Sequence, residues 1–207
     1  MMRVRRLSVL SSSKDRPLTT DDQIMPFDIA SLYLQEVLRG LESTKRLADG
    51  AMAQLSDKQF FALPSPEETS VAMVVKHMAG NLRSRFTDFL TSDGEKPDRN
   101  RDQEFIVEAQ ATREQFLCAW EGQWQLLFDT IRSLGPDDLN RTVTIRNQPH
   151  SVLQALQRAA GHMAYHTGQI VFLAKHWQGA QWKSLSIPKG QSEQVNAAMR
   201  EKYKNPT

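Results

Sequence analysis

His162 and His166, in the run His162-Met-Ala-Tyr-His166, carry the clearest chemistry in this sequence. On a helix, a spacing of four puts both imidazoles on one face, about 6 Å apart along the axis. Both rings can then reach a single divalent ion, at Zn–N distances of about 2.0–2.1 Å. A third imidazole from another helix would leave one coordination position for water or substrate, and an open position is what separates a catalytic metal site from a closed structural one. His77 is the companion that could complete such a set, in a chain with five histidines. An HxxxH pair by itself is a weak signal, because histidines hydrogen-bonded within a core explain it equally well. The position that holds glutamate in the HExxH motif is Met163 here, which excludes zinc-protease chemistry.

Four long amphipathic helices are expected to position these side chains. The first spans about Phe27 to Leu55, with Ile29, Tyr33, Leu34, Val37, Leu41, Thr44, Leu47, Ala48, Ala51 and Leu55 on one side. The second, capped by Thr69 or Ser70, runs to about Leu90. Its apolar face is Val71, Val74, Val75, Met78, Leu82, Phe86 and Phe89. His77 lies at the edge of that face, and Asn81, Ser84, Arg85 and Asp88 continue its seam. A long polar loop, Thr91 to Gln103, follows; loops of that length in a compact domain are often functional. The third helix is expected over about Ile106 to Leu134, on a stripe of Phe116, Trp120, Trp124, Leu127, Ile131 and Leu134. A short β-like segment, Arg141 to Ile145, precedes a turn at Asn147-Gln148-Pro149. The fourth helix runs from the Ser151 cap to about Gln178, and Gly179 suits its C-terminal stop. On it, Ala155, Ala159, His162, His166, Gln169 and Leu173 form one stripe. A loop and a short amphipathic helix end the chain, between Trp182 and Lys204. The fold class expected is therefore all-α, an up-down-type four-helix bundle, an architecture that builds metal sites from side chains on facing helices.

Bulk properties narrow the function further. A chain of 207 residues suits one domain, and a formal net charge of +2 is too small to imply nucleic acid as a partner. No apolar run reaches the ~18 residues of a membrane span. The single cysteine, Cys118, rules out an internal disulfide, and the cytoplasm is the expected compartment. Residues 1–24, rich in Arg and Ser, read as a disordered extension ahead of a single domain over 25–207, with Met25 as an alternative start. His150 and His176 read as surface residues. Arg83, Arg85, Arg99 and Arg101 could bind an anion. Their mixture with Asp88, Asp93, Glu95, Asp98, Asp102 and Glu104 instead suggests a solvated network.

The segments VVKHMAGNLRSRF, around His77, and GHMAYHTGQI, around His162 and His166, resemble the DinB/YfiT-like superfamily. GNLRSRFTDFLTSDGEKPDRNRDQEF, HTGQIVFLAKHWQG and WKSLSIPKGQSEQVN are similar to a bacterial subgroup of it classed as a domain of unknown function. The resemblance extends from about Phe27 to Ala198. It implies a four-helix bundle with a three-histidine site for a divalent metal, zinc or nickel, the ligands carried onto His77, His162 and His166. Some members of the superfamily are transferases or isomerases that use a low-molecular-weight thiol such as bacillithiol or mycothiol, and a homodimer is a further implication. The expected function is thus a metal-dependent enzyme that activates a small-molecule thiol or water, with Asn81, Arg85 and Gln169 as pocket residues. The rival is a non-catalytic metal-binding bundle with a stress-response or interaction role.

Overall fold

The computed structural model describes residues 28–204; the extension expected over residues 1–24 lies outside them. Six α-helices and one two-stranded sheet make up the described chain: α1 (Ile29–Met52), α2 (Asp57–Phe61), α3 (Val71–Phe86), α4 (Arg113–Ser133), β1 (Thr142–Ile145), β2 (Gln148–Ser151), α5 (Val152–Gln178) and α6 (Ser192–Lys202). The long helices α1, α3, α4 and α5 form a four-helix bundle. No helix among the described residues is long and apolar enough to cross a membrane.

Local chemistry sets the boundaries. Ser70 caps α3 by accepting from the Met73 N–H at 3.2 Å. Capping boxes start α2 (Ser56 with Gln59), α4 (Thr112 with Gln115) and α5 (Ser151 with Gln154), each satisfying two backbone donors reciprocally. Gly179 ends α5 at a φ of 52°, which a side chain would resist. Three expectations need correction. The chain does not stay helical to Leu55, because the Ser56 box opens the separate helix α2. The α3 helix stops at Phe86, where Thr87 turns extended and Asp88 takes a φ of 48°. Residues 106–112 are not helical: Asp102–Phe105 forms a 3-10 turn, and α4 waits for its cap at Thr112.

The closest packing joins α1 to α5 and α3 to α4, with further contact of α3 with α5 and α1 with α4. The chain therefore crosses the bundle between α1 and α3, and again between α4 and α5. The core fills with Leu41, Met78, Leu82, Trp120, Trp124, Leu156, Met163 and Ile170, all at most 1% exposed. The expected stripes hold through most of each helix and fail in α1 at Ile29 and Leu47, which are exposed.

The second crossing carries the hairpin β1–β2, in which Ile145 faces Gln148. Its turn is Arg146-Asn147, at φ values of 56° and 61°, rather than Asn147-Gln148-Pro149. Two left-handed residues make the type I′ turn favoured by the strand twist. Arginine is an unfavourable occupant, and Asp93 compensates: Oδ1 accepts from the Arg146 N–H at 2.9 Å and Oδ2 from the Asn147 N–H at 2.8 Å. Oδ1 also accepts from the Glu95 N–H at 2.6 Å. Burial alone would raise the Asp93 pKa, but the backbone donors of Glu95, Asn147 and Arg146 outweigh it and hold the carboxyl well below the usual range. A folded-state pKa below the unfolded one contributes stability that is complete above about pH 4 and is lost as pH falls through the folded value. Asp93→Asn should therefore lower the melting temperature at pH 7, by about 2–4 °C for a loss of roughly 1 kcal/mol in a domain of this size. The gap from the parent should narrow as pH falls below about 4. A thermal melt series from pH 7 to pH 2 checks both the sign and the window.

Candidate metal centre

His77 comes from α3, and His162 and His166 come from α5, one turn apart. The fold brings all three rings together, with one nitrogen of each within 4.8 Å of the others. Nε2 of His162 lies 3.4 Å from Nε2 of His77 and 3.0 Å from Nε2 of His166. Tetrahedral bonds of about 2.05 Å to one ion would separate ligand nitrogens by about 3.3 Å, so the spacing fits a shared cation.

The opposite ring edges fix which nitrogens face inward. His77 Nδ1 is 2.8 Å from Oε2 of Glu104, and His166 Nδ1 is 2.6 Å from Oε1 of Gln169. Each oxygen can only accept, so each Nδ1 carries a proton, which in the neutral ring leaves the Nε2 lone pair facing the centre. At most one proton, on His162, can then lie among three converging nitrogens. The donor set fits a divalent metal: three imidazoles, two of them oriented from behind, whose ring nitrogens converge. Burial, reinforced by His166 and His77, depresses the His162 pKa to about 4, and burial also lowers that of His166. Both rings are thus neutral at pH 7, the form that ligates.

Glu104 is the residue that sequence reasoning placed wrongly. It belongs to no solvated network: its side chain is 8% exposed and that of Arg99 only 3%. Arg99 donates from Nε to Oε1 at 2.9 Å and from Nη2 to Oε2 at 3.0 Å. Burial would raise the Glu104 pKa, but the bonds from His77 and Arg99 overcome it and keep the group ionised. Gly80 makes room for this carboxylate, since a Cβ there would lie 2.8 Å from Glu104 Cδ. Phe105, next in the same turn, stacks on His77 with ring centroids 5.0 Å apart. Other charges of the loop do face solvent, as the exposed Arg83–Asp98 pair shows.

The three histidines line a cavity of about 580 Å³. Asn81, Arg85 and Gln169 line it too. Arg85 is held by the carbonyl of Gly94 and by Glu95 Oε2 at 3.1 Å, and Gln169 bridges His166 and the Tyr165 hydroxyl. Tyr165 and Arg158 are exposed on α5, yet both line the cavity. Their long side chains reach it from one turn either side of the His162 position. His176 is exposed and His150 half-buried, both apart from the cluster, and Cys118 is an exposed free thiol.

No curated protein matches the chain. A family model, described as a protein of unknown function (DUF1572), matches residues 28–191, the stretch that contains all four bundle helices, the buried Glu104 turn and the three histidines. The chain belongs to that family.

Proposed function

We propose that this chain is a divalent-metal-dependent enzyme of the DinB-like type, a thiol-dependent S-transferase or isomerase. His77, His162 and His166 would hold the ion, zinc or nickel. The observation that carries this reading is the cavity: the three histidines meet in a space of about 580 Å³ whose rim includes exposed side chains such as Tyr165 and Arg146. A metal that served stability alone would be closed in by a fourth protein ligand.

A divalent cation held there would supply Lewis acidity, lowering the pKa of a thiol or water in the cavity. The remaining work falls to the protein. Glu104 and Gln169 keep the ligating tautomers of His77 and His166 and fix their ring planes. Phe105 covers one face of His77 against solvent. Asn81 and Arg85 supply polar groups on the cavity wall to orient the substrate. In the transfer itself the thiol proton passes to water, sulfur forms a bond to an electrophilic carbon, and the leaving group departs with the bonding pair.

The test is a matrix of low-molecular-weight thiols against electrophiles, run with stripped protein and with protein reloaded with zinc or nickel. Metal-dependent consumption of one thiol, lost on chelation, is the expected result. Full metal occupancy with no turnover across the matrix would favour the non-catalytic bundle. Failure to load any metal at neutral pH would remove the premise of both.

A further inference from the structure

The cavity wall is strongly cationic. Five arginines line it, Arg85, Arg99, Arg101, Arg146 and Arg158, and no aspartate or glutamate does. Two carboxylates behind the wall answer part of this charge. Glu104 takes Arg99, and Glu95 is shared by Arg85 at 3.1 Å, Arg146 at 3.0 Å and Arg99 at 3.5 Å. Arg101 has a single long contact, 3.7 Å to the neighbouring Asp102, and lies 5.2 Å above the Phe105 ring that stacks on His77. Arg158 has no ion pair and no side-chain hydrogen bond among the described residues.

Five guanidiniums around one cavity, two of them without a close carboxylate, are electrostatically costly, the more so once a cation enters. A ligand carrying negative charge relieves that cost. Guanidinium is also the side chain best matched to the two-pronged oxygens of carboxylate and phosphate. The three exposed arginines come from separate elements: Arg101 from the loop before the 3-10 turn, Arg146 from the hairpin tip and Arg158 from α5, one turn before His162. All three line the same cavity.

We infer that the rim of the cavity is an anion subsite, in which Arg158, with Arg101 and Arg146, holds a carboxylate or phosphate of the small molecule whose reacting end reaches the histidines. The inference deepens the proposed function and rests on it for the reacting end, but the anion site can be tested without metal.

Metal-stripped full-length protein is titrated by calorimetry with inorganic phosphate, with succinate, and with succinamide as the uncharged control. The parent should bind at least one anion and not succinamide. Arg158→Gln should weaken that binding about tenfold or more, the loss expected for charge-assisted hydrogen bonds. Arg158→Lys should recover part of it, because charge returns without the planar fork. Which anion binds more tightly assigns the class of ligand. Equal binding by Arg158→Gln and parent, or no anion binding by the parent, overturns the inference. Nickel stoichiometry is measured on the same samples. Metal uptake without anion binding sinks the subsite alone, and anion binding without metal uptake sinks the metal reading alone. Arg158 is exposed on a helix and glutamine is a good helix former, so the variant should fold; its melting curve verifies this.

Discussion

Replacing His166 by alanine should abolish tight binding of nickel and zinc while leaving the bundle folded. The loss should exceed the 10–100-fold associated with removing a partner behind a ligand, because one of three ligands disappears. The His166 ring is half-buried, at the cavity rather than in the packed core, and its inward nitrogen meets no protein donor except His162. Truncating it therefore opens no large void between helices, and the metal-free variant should melt within a few degrees of metal-free parent. Equilibrium dialysis with nickel, beside melting curves of both proteins with and without chelator, separates the outcomes. Retained binding at parental affinity would mean that His166 is not a ligand. Collapse of the metal-free variant would assign it a structural role.

Glu104→Ala should harm both stability and metal affinity. Removing the carboxylate leaves the Arg99 guanidinium, whose side chain is 3% exposed, with only its longer 3.5 Å contact to Glu95. Breaking such a buried pair costs about 3–5 kcal/mol, on the order of 10 °C in melting temperature for a chain of this length. It also removes the acceptor that holds the His77 proton on Nδ1, worth roughly 10–100-fold in affinity. Gly80→Ala separates this geometry from the charge. Its new Cβ would crowd the Glu104 carboxylate, so the variant should lose metal affinity with the charge still present. Gly168→Ala on α5 is the control: its Cβ would meet nothing within 4 Å, and exchanging glycine for alanine in a helix should raise stability by up to about 1 kcal/mol. Parental metal affinity in both Glu104→Ala and Gly80→Ala would show that the carboxylate does not support the site.

Periodicity made the three histidines legible as a set, since each sits at the edge of an apolar stripe on a regular helix. The residues behind them left no such trace. Glu104 lies 27 positions from His77 in sequence, within an irregular segment where charged residues alternate without pattern. Nothing local distinguishes it from Asp98 or Asp102, which stay in solvent. Its burial follows from the absence of a side chain at Gly80, a fact of tertiary packing. The start of α4 was better signposted than the expected Ile106 boundary suggests: Thr112 and Gln115 have the spacing of a capping box. Arg158 sits at an exposed position of α5 and yet lines the cavity. A guanidinium several bonds from its Cα can still turn into a neighbouring cavity.

The crossed connectivity gives the site a mechanical meaning as well. His77 and His162 are 85 residues apart along the chain, on helices that pack against each other. An ion gripped by both would act as a reversible staple in a protein whose lone Cys118 can form no internal one. Closing a loop of that length covalently is worth on the order of 4–5 kcal/mol in chain entropy. The tether would span α4 and the hairpin, so that loading the centre would join two halves of the bundle that the backbone connects only by the long way round.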